Sequence, residues 1–471
     1  MATTHKINSN GDEPKQKMSR LDVKMESGSG PITQFESSDP NKNKSCDEAF
    51  TLGKMFCEGK TKVVYEINTK TPGRCLIVSK DIITAGDGAK RNVMEGKAEL
   101  SSATNAAVMQ MLNDFGLKTA FIKGVNKKSF LAWKCDMIPI EWVARRVATG
   151  SFIRRHVGVK EGYRFSPPKL ETFYKDDENH DPQWSREVLE EAKLKCGKIV
   201  VTPDLIDIME KMTITIFEVL EKAWKSKNVS LIDMKIEFGV RQDTNEIVLA
   251  DVIDNDSWRI WPSGDKRLMK DKQVYRNLKE VTNGDMQNLK ENYTWVSNQL
   301  TAISEALNED KNSVRVAVCM GSPKDMAHCN KIKAGCTELG VRCTLHVSSA
   351  HKSTTETLKM LAKIEDEASV TPTVLVAVAG RSNGLGPVIS GNSVLPVINC
   401  PPPSEQWGRS DIWSSLRLPS GLGCATLLDP QAAATCASQI LAQHTPLVWS
   451  RLRVKQMQYW IDLKQANDGL N

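Results

Sequence analysis

The sequence predicts a chain of two parts, one α+β and one α/β. The first is a mixed domain with mainly antiparallel strands. The second is a three-layer αβα sandwich around a parallel sheet. Three observations predict this. Between residues 50 and 308, strand-like runs come in pairs joined by short turns, the mark of antiparallel pairing. From residue 314 the rhythm changes to apolar strand, Gly or Ser turn, then helix, and the unit recurs, which is the pattern of a parallel sheet covered on both faces. The length, 471 residues, is also more than one ordinary core accommodates.

Residues 1–48 hold one aromatic, Phe35, and mix both charge signs with Ser, Asn, Gly and Pro. Such a segment cannot bury enough apolar surface to offset its ordering entropy, so a disordered tail without a catalytic role is expected. Residues 62–67 (KVVYEI) and 75–79 (CLIVS) read as strands joined at Thr71-Pro72-Gly73. Residues 92–115 place Ala103, Ala106, Ala107, Met111 and Leu112 at helical spacing. Strand-like runs follow at 130–133 and 137–143, then an amphipathic helix at 204–226. Residues 231–240 and 247–253 form a hairpin turning near Asp243-Thr244-Asn245, and a further helix covers 286–308. The polar stretch 309–314 is the expected linker between a domain at 49–308 and one at 315–471. In the second domain, strands are expected at 314–320, 343–347 and 373–379, with a final helix at 446–465 closing the sandwich.

Charged residues at 25% and hydrophobic residues at 40% suit an ordinary soluble protein. A net charge of +6, spread along the chain, is too mild for a nucleic-acid binder, whose basic residues crowd one segment. It suits anionic small-molecule substrates, because phosphates and carboxylates need Lys and Arg partners. The 12 cysteines include no CxxC pair, so they read as reduced thiols of a cytoplasmic protein, not as zinc ligands. The opening residues lack the apolar core of a secretory signal, and no run approaches the roughly 20 apolar residues that span a bilayer. Neither a membrane nor nucleic acid is an expected partner.

Three N-terminal motifs carry chemistry. Glu58-Gly59-Lys60-Thr61-Lys62 is a small turn whose two lysines can cover a polyphosphate, although many surface turns read the same way. Residues 137–151 (MIPIEWVARRVATGS) deliver Glu141, Arg145 and Arg146 and then Thr149-Gly150-Ser151. Guanidinium forks beside a small turn with free backbone N–H groups make an anion site, a solvated basic face being the alternative. In residues 231–239 (LIDMKIEFG) the alternation puts Asp233, Lys235 and Glu237 on one face of a strand. With Asp251, Asp254, Asp256 and Arg259 on the pairing strand, that face suits Mg²⁺ and a nucleoside triphosphate. The alternative is a hydrated face of cross-strand ion pairs.

The stretches MIPIEWVARRVATGS and LIDMKIEFG resemble the two signatures of the phosphoribosylaminoimidazole-succinocarboxamide (SAICAR) synthetase family. EGKTKVVYE, SKDIITAGD, YKDDENHDP and LADVIDNDSWRIWP resemble it in the same order. The resemblance covers residues 49–308 and implies a SAICAR synthetase-like ATP-binding domain. ATP would phosphorylate the substrate carboxylate, and the amine of L-aspartate would displace phosphate from the acyl phosphate. By position, the resemblance implies that Lys60 and Lys62 contact ATP phosphates. Lys235 and Glu237 would serve the nucleotide and its metal, and Asp251 would be the main Mg²⁺ carboxylate. Asp87, Arg145, Ser151 and Arg259 would hold the imidazole ribotide, with Lys175 and Asp181 near the attacking amine.

In the second part, Met320-Gly321-Ser322-Pro323-Lys324-Asp325, Ser348-Ser349-Ala350-His351-Lys352 and residues 379–387 (AGRSNGLGP) follow the carboxyl ends of three parallel strands. Ligands bind in that crevice in open α/β sheets. The three segments resemble, in order, the phosphoribosylaminoimidazole (AIR) carboxylase family, which implies a flavodoxin-like sandwich. Microbial mutase relatives carry an AHLPG-like segment where this chain has Asn383-Gly384-Leu385-Gly386-Pro387, so the resemblance is to the animal type. It implies direct use of CO2, without biotin, metal or ATP in this half. Ser322, Asp325 and Arg381 would bind the ribotide, and Ser382 and Gly384 the CO2. His351 and Lys352 would manage the imidazole C4 proton and the new carboxylate, and which takes the proton stays open. Residues 413–421 (WSSLRLPSG) also match and are expected to serve packing. The two resemblances follow the order of the animal fusion enzymes of purine biosynthesis, which implies that the chain makes CAIR and then SAICAR. They also imply a homo-octamer built on the C-terminal half.

Overall fold

The structure is a computed structural model that describes residues 50–468 except 87 and 407. The expected tail at 1–48 and the expected ribotide ligand Asp87 lie outside the described residues.

The first sheet has five antiparallel strands in the spatial order Thr51–Glu58, Lys62–Asn68, Arg74–Ser79, Ser129–Trp133 and Phe121–Asn126. Helix Lys97–Asp114 buries Val108, Met109 and Leu112 in one cluster with Cys75, Phe121 and Phe130 of that sheet. The expected helix start at residue 92 is wrong by a turn and more. Lys90–Val93 is a strand paired with Ile82–Ala85, and the helix begins only after Gly96, whose φ of 87° is open to glycine without a Cβ clash. Asp81 then accepts from the Ala98 N–H at 2.7 Å, satisfying a donor of the first turn.

The second sheet is built on the long strand Val229–Arg241. One edge pairs with Cys135–Val147, which pairs in turn with Arg164–Tyr174. The other edge is shared by two short strands: Ile247–Leu249 covers residues 238–240 and Trp258–Pro262 covers residues 229–234. Between them the chain leaves the sheet as a loop at 250–257. Asp251, Asp254 and Asp256 therefore stand on this loop and not on the expected continuous strand. The gap falls opposite Lys235 and Glu237, and backbone bonds from Lys235 N to Ser257 O (2.7 Å) and Ala250 N to Glu237 O (3.0 Å) pin its two rims. Helix Pro203–Lys225 closes the far face, with Ile216, Phe217, Leu220 and Trp224 packed on Trp142, Met234 and Phe238, all fully buried. Proline at its first turn and the Thr202 hydroxyl, accepting from Leu205 N at 3.3 Å, start it.

Helix Asn283–Glu309 begins with a capping box between Thr282 and Asp285. Its end, a 3₁₀ turn at Asp310–Asn312 and the strand Arg315–Met320 follow almost without interval. The polar stretch at 309–314 is thus largely helical and not an extended connector, and Asp310 accepts a hydrogen bond from Thr445 at 2.8 Å.

The C-terminal sheet is five-stranded and wholly parallel, in the order Arg342–Val347, Arg315–Met320, Thr373–Val378, Val397–Asn399 and Ala425–Thr426. Numbered along the chain this is 2-1-3-4-5, the flavodoxin-like order. Arg315–Met320 and Thr373–Val378 are buried at every residue, because helices cover both faces. Met326–Glu338 and Pro430–Leu441 pack on one face, Thr354–Ala368 and Leu385–Gly391 on the other.

The final helix, Pro446–Asp468, does more than close this sandwich. Val448 and Leu452 join the sandwich core, whereas Leu447, Val454, Met457 and Ile461 join the N-terminal core beside helix Pro203–Lys225. Arg453 reaches Glu218 at 2.7 Å and Lys464 reaches Asp204 at 2.5 Å across the same seam. Among the described residues no helix is long and apolar enough to cross a membrane.

Candidate functional site

A cavity of about 1160 Å³ opens over the gap in the second sheet. Lys60, Lys62, Arg145, Ser151, Lys175, Asp181, Lys235, Glu237, Asp251 and Arg259 all line it. Ten residues expected from separate segments of the chain thus converge, and Gly86 and Gly88 line the same wall.

The antiparallel register explains the pairing. Asp233 lies directly opposite Arg145 on one neighbour and Arg259 on the other. Its Oδ2 accepts from Arg145 Nη1 at 2.6 Å and from Arg259 Nη1 at 2.5 Å. Arg145 also donates through Nε to Glu171, whose other oxygen accepts from Arg155 Nη2 at 2.5 Å. The two arginines are therefore held rigid from below. Gly150, at φ 60°, leaves room for this, since a Cβ there would stand 2.8 Å from Arg259 Nη2. Glu171 is an anchor that sequence reasoning missed, its side chain wholly buried. A lone acid in a strand gives little signal by itself.

One step along the strand, the Lys235 ammonium lies 2.6 Å from Glu237, 3.2 Å from Glu141 and 3.5 Å from Asp251. Burial disfavours its charge, but the three carboxylates outweigh that and hold its pKa well above the ordinary value. Lys175 reaches Glu237 at 2.7 Å and Lys62 pairs with Asp251. Burial alone would raise the Asp251 pKa, yet Lys62 and Lys235 hold it well below the usual carboxylate range. Lys60 lies 2.9 Å from Asp177, and Asp181 accepts from the Asp176 N–H at 2.8 Å, shaping the loop behind Lys175. Glu141, delivered by the second motif without an assigned role, lies opposite Glu237 in register.

Among the described residues no group of three or more His, Cys, Asp or Glu stands ready to hold a metal. Glu237 and Asp251 nevertheless meet on one cation, the Lys235 ammonium. A pair of hard carboxylates next to a phosphate-sized space fits Mg²⁺, which takes one or two carboxylates and completes its shell with phosphate and water.

Behind the Asp251 loop, the expected acids Asp254 and Asp256 meet partners that sequence reasoning missed. Lys97, 1% exposed, pairs with Asp256 at 3.3 Å, and Asp256 also accepts from Tyr293 at 2.9 Å and from Lys272 at 3.2 Å. Asp254, 4% exposed, has its pKa raised, first by burial and then by Asp256. Lys97 occupies a helix position that looks like surface in the sequence, so only the packed loop reveals it.

In the C-terminal half, Met320 is level with both Val347 and Val378, so three loops leave the sheet side by side. Ser322 sits on the first and accepts from Lys324 N at 3.3 Å. Burial raises the Asp325 pKa. The second loop brings His351 against the third: a Cβ on Gly384 would lie 2.7 Å from both Cε1 and Nε2 of the His351 ring. Lys352, Arg381 and Ser382 are exposed at the same edge, with Ser382 at φ 49°. The third loop is braced from beneath by Asn383, 2% exposed. Its backbone N–H donates to Ser414 Oγ at 2.7 Å, and its amide donates to Asn399 at 3.1 Å and to Ser415 at 3.0 Å. The segment 413–421, expected to serve packing, thus supplies polar support to this loop.

A model of the SAICAR synthetase family matches residues 55–292, and one of the AIR carboxylase family matches residues 315–460. The chain is 55% identical over 419 residues to the multifunctional protein ADE2 of Gallus gallus, covering 89% of this chain and 97% of that one. It is 54% identical to the bifunctional phosphoribosylaminoimidazole carboxylase/phosphoribosylaminoimidazole succinocarboxamide synthetase of Drosophila melanogaster, over 90% of this chain and 96% of that one. To the human protein of the same name it is 53% identical, over 89% and 97% of the two chains.

Proposed function

The chain belongs to the bifunctional phosphoribosylaminoimidazole carboxylase/phosphoribosylaminoimidazole succinocarboxamide synthetase family of purine biosynthesis, and from that premise we propose how its residues divide the two reactions. The ligase occupies residues 49–308 and the carboxylase residues 315–471. The observation that supports this most is the convergence of ten expected residues on one cavity over the split sheet edge.

In the ligase, Lys60 and Lys62 take the ATP phosphates. Lys62 then exchanges Asp251 for phosphate oxygen, which frees Asp251 to join Glu237. Mg²⁺ held by that pair would neutralise polyphosphate charge as the γ-phosphoryl group moves. Arg145 and Arg259, oriented by Asp233, hold the ribotide together with Ser151 and Asp87. Rigid guanidinium donors cost no reorganisation when charge develops on the substrate carboxylate. Lys235 remains in place and offsets repulsion between phosphate and the acids around it. Lys175 and Asp181 line the approach of the aspartate amine, which attacks the acyl phosphate and expels inorganic phosphate.

In the carboxylase, Ser322, Asp325 and Arg381 bind the ribotide, and Ser382 and Gly384 hold CO2. The nucleophilic C4 of the imidazole bonds to the CO2 carbon. His351 and Lys352 share the two remaining tasks, removal of the C4 proton and pairing with the new carboxylate. Homo-octameric assembly around the C-terminal half is part of the same reading, and light scattering of the purified chain checks it.

The deciding experiment is a coupled assay with AIR, bicarbonate, Mg·ATP and L-aspartate, following the succinocarboxamide product. Product that requires all four components is expected. Product formed only when the carboxylated ribotide is supplied would overturn the carboxylase assignment.

A further inference from the structure

A cavity of about 1100 Å³ lies outside both sites, where the end of helix Pro203–Lys225 meets helices Pro430–Leu441 and Pro446–Asp468. Arg146 lines it. Arg145 and Arg146 are successive strand residues, so their side chains leave opposite faces of the sheet. One strand thus supplies an arginine to the ligase cavity and an arginine to this recess.

The lining is strongly basic, with five Lys or Arg side chains against Glu218 and Glu221. The Arg146 fork holds both oxygens of Glu221, at 2.7 and 2.6 Å, and Arg453 donates to Glu218 at 2.7 Å. Among the described residues Arg164 reaches the already engaged Glu221, at 3.5 Å. The Lys222 ammonium faces the ring of Trp449, 5.4 Å from its centroid, and that of Lys225 has no partner among the described residues. Basic residues in a last helical turn complement the helix dipole, which accounts for Lys222 and Lys225 on their own helix. It does not account for arginines from the sheet and from the C-terminal helix turning to the same recess.

A concave basic surface with apolar walls focuses its field on anions, and Lys and Arg together favour phosphate. Two tryptophans line the recess, Trp261 from the second sheet and the half-buried Trp449 from the final helix, and the Trp449 indole offers a flat apolar partner for a ring. We propose that this recess binds a phosphate ester with an aromatic base, of the size of a nucleoside monophosphate. The phosphate engages Arg164, Lys222 and Lys225, which draws Lys222 from Trp449 and leaves the indole to the base. Because the walls come from both halves of the chain, an occupant ties the ligase helix to the C-terminal helix.

The test is equilibrium dialysis of the full chain with AMP, alongside Lys222→Glu/Lys225→Glu and Lys222→Arg/Lys225→Arg, with both reaction rates measured on each sample. AMP bound at the catalytic sites is common to all three. The wild type and the Arg pair are expected to bind about one more equivalent per chain than the Glu pair, with both rates kept within about twofold. Equal stoichiometry in all three would overturn the site. Inorganic phosphate taking up that extra equivalent as tightly as AMP would overturn the nucleotide assignment. If the Glu pair fails to fold, Arg164→Ala, at an exposed position on strand Arg164–Tyr174, gives the same readings: loss of the extra equivalent supports the site and its retention overturns it.

Discussion

At the scale of single residues, the ligase cavity is a set of charges that cancel one another until substrate arrives. Asp251 is an acid whose charge Lys62 and Lys235 protect against burial. Asp251→Asn removes that charge while keeping the shape, so ligation is expected to fall at least ~100-fold with carboxylation unchanged, both rates read on one preparation. Loss of both would contradict separate sites. On the other half, Gly384→Ala places a methyl 2.7 Å from two atoms of the His351 ring. The ring must move, and a shift of up to about 1 Å at a reacting group costs on the order of tenfold to a hundredfold in rate. The carboxylation rate is expected to fall so, and an unchanged rate would remove His351 from the chemistry. Asp271 gives a pH prediction. It is fully buried and accepts from the N–H groups of Ile260 (3.1 Å) and Gln273 (2.8 Å), yet burial pushes its carboxyl up from 3.8 to about 6. Between those values the folded chain keeps a proton that the unfolded chain has lost, so this residue's contribution to stability is full below the window and declines as pH rises through it. A carboxyl carbon resonance titrating near about 6 is expected. A midpoint at the ordinary value would refute it.

At the scale of elements, two features organise the molecule. The first is the split edge of the second sheet. Two short strands pair with the ends of Val229–Arg241 and leave Lys235 and Glu237 uncovered between them, where the Asp251 loop closes the cavity. Alternation in LIDMKIEFG announced which side chains share a face. It could not announce that the partner strand would break opposite them, because that depends on where the loop at 250–257 finds its own partners, among them Lys97 from a distant helix. The second feature is helix Pro446–Asp468, which follows the carboxylase strands in sequence but buries Met457 and Ile461 in the ligase core. Met457, 3% exposed, contributes packing there, and Met457→Ala is expected to cost about 2–5 kcal/mol. Thermal inactivation of ligation should then occur at lower temperature, although no ligase motif lies in that helix. Inactivation that affects carboxylation alone would show that the helix serves only its own sheet.

At the scale of the whole molecule, deletion of residues 1–48 is expected to change neither rate, since no motif lies there. A tenfold loss in either assay would give the segment a role. Much of the rest was legible from local pattern. Strand pairs with short turns announced the antiparallel sheets, and buried apolar runs ending in Gly or Ser announced the parallel one, because hydrophobic periodicity reports which face is covered. Motif spacing and the family resemblance together named ten residues that line the cavity over the split sheet and the three loops over the parallel sheet. Other features belong to no local stretch: Glu171 beneath the paired arginines, Lys97 beneath the acidic loop, Asn383 with Ser414 and Ser415 beneath the third loop. These supporting groups contact the site through buried hydrogen bonds between segments far apart in the chain, and one-dimensional patterning holds no record of such contacts. By itself, then, the sequence determined the two architectures, which follow from hydrophobic alternation, and, with the family resemblance, named ten side chains that converge on one cavity. Only the tertiary structure decided which distant charges meet, where the sheet edge opens and which core the last helix joins, because those outcomes depend on packing and desolvation across the assembled fold.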